Sequence, residues 1–224
     1  FATHVIGLCI IQLIMRDWFA SFVWGASIEV LELSLQHILP HFRECWWDHV
    51  FLDLIVTNGS GIIIGQIILT KVLKWKTYDW FGREGKSSFK DWDFLHSHRH
   101  FGGTLYFWFF TFLFFINSFF LNNSLWVPPM NPIVRYRLYT WVFMGSIASR
   151  ECYEDFTTWG TLRRLENPIP AYYRWLPICS AVIELLSAYK FRIDAGHYNF
   201  EAEAPMYVKI GWSLFIVISA IYYI

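Results

Sequence analysis

Long apolar runs, separated by short charged or Pro-containing segments, recur along this 224-residue chain. Because a helix needs about 20 mostly apolar residues to cross a bilayer, each long run predicts a membrane span. The pattern predicts an all-α, polytopic transmembrane fold of six to seven spans. We expect residues 1–224 to form a single membrane-embedded domain that lacks some N-terminal spans. After a shorter apolar run over residues 1–15, the predicted spans are Trp18–Leu39, Val50–Leu73, Leu105–Leu121, Val134–Ser149, Ala171–Tyr189 and Met206–Ile224.

Composition points the same way. Apolar residues make up 55% of the chain, and charged residues only 16%, against roughly 25% in soluble domains. The net charge is zero and no basic stripe is present, which argues against a nucleic-acid partner. The four cysteines show no C-x-x-C spacing, so neither a zinc site nor a disulfide framework is indicated. The chain is therefore expected to be an integral membrane protein.

Loop charges predict how the first helices are oriented. Lys and Arg are concentrated between Lys71 and Arg99, so this loop is expected on the cytoplasmic side. The span that precedes the loop must then start at the opposite face, beside Glu44 and Asp48. The first apolar run must travel toward the cytoplasm, which brings His4 to that same opposite face. The sequence thus predicts that an imidazole and several carboxylates meet at one membrane face.

Five carboxylates lie within or beside the second and third apolar runs. Ionisable groups in such runs are costly and normally face a wet cavity, a partner charge or a metal. Glu29 and Glu32 are three residues apart, and Glu44 and Asp48 four apart, so each pair is expected to share a helix face. Hard oxygen ligands without accompanying Lys or Arg suit Ca²⁺ or Mg²⁺. The alternative is a set of helix-end carboxylates solvated at the interface. The five are Glu29, Glu32, Glu44, Asp48 and Asp53.

Three motifs in this region carry a family resemblance. The chain reads E-V-L-E-L, then H-I-L-P-H-F-R-E-C-W-W-D, then F-L-D-L-I-V-T-N-G-S-G. These motifs resemble the eukaryotic base-exchange phosphatidylserine synthases, in which they read close to E-L-x-E-L, H-L-L-P-N-F-x-E-C-W-W-D and L-D-x-x-x-x-N-G. His4 stands at the spacing before Glu29 that the family uses for its essential histidine. The resemblance covers most of the chain and is close from His4 to about Gly65.

The resemblance implies a phosphatidylserine synthase, an enzyme of phospholipid biosynthesis in the endoplasmic reticulum membrane. The hydroxyl of L-serine would displace choline or ethanolamine from phosphatidylcholine or phosphatidylethanolamine in a Ca²⁺-dependent head-group exchange at the lumenal face. By this resemblance His4 is the general base, and Asn58 is expected to bind substrate. Arg150 is also expected to bind substrate, but it resembles a residue with a regulatory role in the family, and a plain helix-end charge is the alternative. The five carboxylates are the metal ligands, with Glu32, Glu44 and Asp48 as the first choice.

Two departures from the family pattern keep an alternative open. His41 replaces the family's Asn, and Phe115 stands where the family tends to carry Glu. The alternative is a catalytically inactive family member that serves as a structural or lipid-binding subunit of a larger membrane complex, in the mitochondrial or another organelle membrane. Assembly as a homo-oligomer is equally compatible with the sequence. A cation or proton transporter using the intramembrane acids is disfavoured, because the chain shows no repeat and no pair of interrupted helices.

Overall fold

A computed structural model describes residues 2–38, 43–83 and 202–223, together with scattered helical positions between 132 and 189. Within these residues every regular element is a helix and no strand occurs, which confirms the all-α class for the described part. The chain divides into two compact units, Phe1–Asp79 with His197–Ile224, and Trp80–Gly196. The predicted span Leu105–Leu121 lies outside the described residues.

The first unit contains four described helices. They are α1 (Ala2–Met15), α2 (Trp18–Leu35), α3 (Asp48–Val72) and α4 (Met206–Tyr223). Two of them, α2 with 18 residues and α3 with 25, are long and apolar enough to cross a membrane. The total of six to seven spans stays a prediction, because it depends on residues beyond the described part.

Apolar side chains on the outside of α3 support the assignment of this helix as a span. Ile55, Ile63 and Ile67 are each more than half exposed in the isolated chain. Large apolar side chains exposed in register along a helix are expected where the neighbour is lipid, since a bilayer imposes no cost on them. The helix therefore has an exposed apolar side and, as shown below, a polar side that faces α1 and α2.

The corner between α1 and α2 is built from polar residues. Asp17 caps α2, because its side chain accepts a hydrogen bond from the backbone N–H of Phe19 at 2.9 Å. Arg16 has a left-handed backbone with φ of 53°, which turns the chain between the helices. Its carbonyl accepts from the N–H of Tyr78 at 2.8 Å, and its guanidinium lies 4.5 Å from the ring centroid of Trp75. The segment after α3 is thus tied back to this corner.

The winding of α3 differs from the regular α-helix expected for this span. It is π-helical over Asp48–Asn58, α-helical over Gly59–Ile67 and π-helical again over Ile68–Val72. A π-helix bonds each residue to the fifth rather than the fourth along the chain. Residues are therefore spread differently around the helix than an α-helical pattern predicts.

Two expected boundaries also change. The helix predicted to extend to Leu39 ends at Leu35, and the chain continues as a turn over residues 36–38. Glu44 lies in an irregular connection, residues 43–45, before α3 begins. The prediction that Glu44 and Asp48 share a helix face is therefore wrong, because only Asp48 belongs to the helix.

Small residues let α1 and α3 approach closely. A Cβ added at Gly61 would lie 2.5 Å from the Val5 carbonyl oxygen, and one at Gly65 would lie 2.7 Å from Cβ of Gln12. The close approach that the glycines of the N-G-S-G segment predicted is therefore confirmed at Gly61, whereas Gly59 has no neighbour within 4 Å. Glycines are required where the backbones meet.

Polar side chains also cross between helices in this unit. The amide of Gln12 donates to that of Gln66 at 2.6 Å, which links α1 to α3. The indole N–H of Trp212 donates to Ser34 Oγ at 3.0 Å, and the amide of Gln36 donates to the hydroxyl of Tyr207. These two contacts attach α4 to the C-terminal end of α2. The α1 and α3 helices pack against other parts of α2.

Candidate functional site

Glu29 is the centre of a buried polar cluster between three helices. It lies on α2 and its side chain is only 4% exposed. His49 Nδ1 lies 3.1 Å from Glu29 Oε2, and Asn58 Nδ2 donates to Glu29 Oε1 at 3.1 Å. His4 Nδ1, from α1, lies 3.9 Å from the same Oε1. A single carboxylate therefore receives polar contacts from two neighbouring helices, α1 and α3.

The π-helical start of α3 places His49 and Asn58 on one side. They are nine residues apart, which is about 2.5 turns of an α-helix and would put them on opposite faces. A π-helix has more residues in each turn, because its hydrogen bonds reach to the fifth residue. Nine residues of this segment therefore make about two turns, and both side chains reach Glu29. This local winding determines which residues form the site. An α-helical period does not predict that His49 and Asn58 lie on the same side.

Glu29, His49 and Asp53 together form a candidate metal centre. Each offers one ligand atom, and these atoms all lie within 4.8 Å of one another. Asn58 Oδ1 is buried and has no hydrogen-bond partner among the described residues. A buried amide oxygen that accepts no hydrogen bond is a ligand type that Ca²⁺ takes readily. The oxygen donors of this cluster therefore fit a hard divalent cation.

The cluster brings several carboxyl groups close together. Glu32, 16% exposed at its side chain, lies within electrostatic reach of three other carboxylates, Glu29, Glu44 and Asp53. In the described part of the chain no Lys or Arg is paired with Glu29 or Glu32; their ion-pair partners are histidines. Burying carboxylates without a compensating charge costs several kcal/mol per ion in order of magnitude. A bound cation would remove that cost.

The other acids named by the sequence are placed differently. Glu44 is exposed, and Asp48 is half-buried at the start of α3. Together with Glu32 they were the preferred ligand set, but the structure shows no close three-residue grouping of Glu32, Glu44 and Asp48 within the described part of the chain. Their role as metal ligands stays a prediction, whereas Glu29 and Asp53 are brought together directly.

His4 is the accessible member of the cluster. Its side chain is 32% exposed, whereas those of Glu29 and His49 are almost completely buried. His4 meets one of the acids that the sequence named, at 3.9 Å from Glu29 Oε1, whereas the shared membrane face stays a prediction. An imidazole that is open to a substrate on one side and faces a carboxylate on the other is suited to take up and return a proton.

The remaining predicted positions fall in the second unit or outside the described residues. Arg150 belongs to the second unit, where it is exposed at a helical position. His41 and Phe115 lie outside the described residues. Sequence reasoning missed His49, although it follows Asp48 directly and precedes Asp53 by four residues. A histidine flanked by acids at the start of an apolar run was the available signal.

Comparison with known proteins gives a consistent family relationship. Residues 1–192 match the family described as Phosphatidyl serine synthase. The chain is 32% identical to mouse (Mus musculus) Phosphatidylserine synthase 2 over 232 aligned residues, covering 94% of this chain and 46% of that protein. It therefore spans about half the length of this relative.

Plant relatives carry a different name. CDP-diacylglycerol--serine O-phosphatidyltransferase 2 of rice (Oryza sativa subsp. japonica) is 30% identical, with 94% of this chain and 52% of that protein covered. CDP-diacylglycerol--serine O-phosphatidyltransferase 1 of Arabidopsis thaliana is 28% identical, with 95% and 52% covered. Both names include transfer to serine, but they name CDP-diacylglycerol as the lipid substrate.

Proposed function

We propose that this chain, which belongs to the phosphatidylserine synthase family, catalyses Ca²⁺-dependent exchange of phospholipid head groups in the endoplasmic reticulum membrane. The observation that carries the proposal is the position of His4. Its imidazole is accessible and lies 3.9 Å from the buried Glu29, at the edge of a group of oxygen ligands. In this position His4 would act as a proton acceptor beside the candidate cation site.

In the proposed reaction the hydroxyl oxygen of L-serine attacks the phosphorus of phosphatidylcholine or phosphatidylethanolamine. The new serine O–P bond forms as the O–P bond to choline or ethanolamine breaks, and the serine hydroxyl proton ends on the departing alcohol. One phosphodiester replaces another, so the exchange needs neither ATP nor an activated lipid. His4 would take the proton from serine and return it to the leaving group.

The surrounding residues would support that proton transfer. When His4 takes up a proton it becomes positively charged, and the Glu29 carboxylate would stabilise that charge. Glu29, Asp53 and Asn58 Oδ1 would hold the cation, with Glu32 beside them. Bound Ca²⁺ would neutralise phosphodiester oxygens as charge develops on them.

One observation favours a second lipid donor. Two relatives are named for CDP-diacylglycerol. If this chain used that donor, serine would displace CMP rather than choline or ethanolamine. The cation and His4 would have the same tasks in both reactions, so the cluster by itself does not separate the donors. The identity of the released leaving group distinguishes the two donors.

The test is a reconstitution of the purified full-length protein in vesicles with labelled L-serine. Separate vesicles would contain phosphatidylcholine, phosphatidylethanolamine or CDP-diacylglycerol, each with Ca²⁺ or with a chelator. We expect labelled phosphatidylserine and stoichiometric free choline or ethanolamine, both abolished by chelation. Release of CMP alone would overturn the exchange reaction in favour of the second donor.

A matched pair of variants completes this design. Glu29→Gln should abolish incorporation, whereas Glu203→Gln, which alters an acid 93% exposed at its side chain and away from the cluster, should leave it intact. Lipid binding by a folded protein without turnover on any donor would support the non-catalytic subunit instead.

A further inference from the structure

We propose that His49 is a positioning residue, which holds the Glu29 carboxylate in the orientation that a bound cation requires. The inference rests on the proposed Ca²⁺-dependent function. His49 Nδ1 lies 3.1 Å from Glu29 Oε2, and the ring is completely buried. When Glu29 is ionised, as a metal ligand is, its carboxylate can only accept, so His49 Nδ1 would carry the hydrogen and donate.

His49 acts on Glu29 together with Asn58. The imidazole holds Oε2 and the Asn58 amide holds Oε1, each at 3.1 Å. Both donors come from the π-helical segment Asp48–Asn58, whereas the carboxylate comes from α2. Two donors on one helix therefore determine the plane of a carboxylate on another. Each carboxylate oxygen keeps a second lone pair for a cation.

The ring also lies close to a second carboxyl group. Its Nδ1 lies 3.9 Å from Glu32 Oε2 as well as 3.1 Å from Glu29 Oε2. Glu29 and Glu32 are one turn apart on α2, so they repel each other when both are ionised. A donor placed between them would reduce that repulsion while keeping both side chains at the site. Removing the ring would leave Glu29 Oε2 buried without its donor.

A supporting role fits this ring better than direct ligation of Ca²⁺. Ca²⁺ takes oxygen ligands, and the cluster already offers carboxylate and amide oxygens. Hydrogen-bond partners of metal ligands typically contribute a factor of about 10–100 to metal affinity. His49→Ala should therefore weaken Ca²⁺ binding by about 10–100-fold. Turnover at saturating Ca²⁺ should remain close to that of the unaltered protein, since His49 does not touch the reacting atoms.

Two amide variants make this prediction specific. The side-chain amide of Asn can place an N–H near the position of Nδ1, whereas the longer Gln reaches toward the position of Nε2. His49→Asn should recover Ca²⁺ affinity to within a few-fold of the unaltered protein, and His49→Gln should recover less. Thr57→Val is the matched control. Thr57 is equally buried on the same helix, and its hydroxyl bonds the Asp53 carbonyl of that helix.

The experiment is calorimetric titration of the purified full-length protein with Ca²⁺ and, separately, Mn²⁺. Melting temperatures in chelator would establish that each variant is folded. If His49→Ala binds Ca²⁺ as tightly as the unaltered protein, the positioning role is overturned. Selective loss of Mn²⁺ binding, not recovered by His49→Asn, would also overturn it and make the ring a ligand. If the unaltered protein binds no Ca²⁺, the metal-dependent function fails together with this inference.

Discussion

Oε2 of Glu29 and Nδ1 of His49 lie 3.1 Å apart, although 20 residues separate them along the chain. The contact joins α2 to the first turns of α3 at a point that solvent does not reach. Loss of either side chain would leave the facing polar atom of the other buried without this contact, which costs about 1–3 kcal/mol, or more for a charged group. The candidate site is therefore also part of what holds the two helices together. Site variants must be checked for folding before their activity is interpreted.

Asp53→Asn should remove the stabilisation of the protein by Ca²⁺. A ligand present at 100 times its Kd stabilises the native state by about 2.7 kcal/mol, and loss of a charged ligand reduces that gain. The measurement is the melting temperature with Ca²⁺ and with a chelator. Asp48→Asn should retain more of the shift, because Asp48 lies outside the close group. If Asp48→Asn loses more of the Ca²⁺-induced shift than Asp53→Asn, the result would favour Glu32, Glu44 and Asp48 as the ligands.

His4→Gln should lower the rate of serine exchange at saturating Ca²⁺ by about 10²–10⁴-fold, the usual contribution of a general acid–base residue. Its Ca²⁺ affinity should change little, because His4 faces Glu29 from α1 at 3.9 Å rather than forming a hydrogen bond. Exchange rates and calorimetry on the same preparation would separate these effects. Thr3→Ala, at an exposed neighbouring position, is the control. An unchanged exchange rate in His4→Gln would exclude the proposed base.

Gly61→Ala should destabilise the protein by about 1–3 kcal/mol, the usual cost of overpacking. The added Cβ would meet the Val5 carbonyl oxygen at 2.5 Å, and backbone atoms cannot move aside as a flexible side chain can. Gly59→Ala is the matched control, since nothing lies within 4 Å of its Cβ position. Reversible unfolding in detergent would compare the two. Equal stability of both variants would contradict the close packing of α1 on α3.

Gln12 and Gln66 should show energetic coupling. Their side chains form a 2.6 Å hydrogen bond between α1 and α3. Hydrogen bonds between membrane helices contribute about 0.6–2 kcal/mol in model systems. A double-mutant cycle with Gln12→Leu, Gln66→Leu and the double variant would measure the coupling by unfolding. Strict additivity of the two single variants would show that the bond contributes nothing to stability.

Several features followed from the sequence. Apolar runs and low charge predicted membrane helices, and the motifs around E-C-W-W-D indicated the family. The cost of ionisable groups in apolar runs identified Glu29 and Asp53 as candidates, and loop charges placed His4 near them. The glycines of α3 predicted a close helix contact. The family, the helical class of the described part and the close helix contact are confirmed, because each depends on composition or on short motifs.

The members of the central cluster were decided only by the tertiary structure. An α-helical period sets His49 opposite Asn58, whereas the π-helical winding of α3 turns both toward Glu29. The same period paired Glu44 with Asp48, but the chain enters the helix only after Glu44. Local winding and the docking of helices arise from contacts between distant residues. Spacing along the chain therefore identified which residue types would form a site, and packing determined which of them meet.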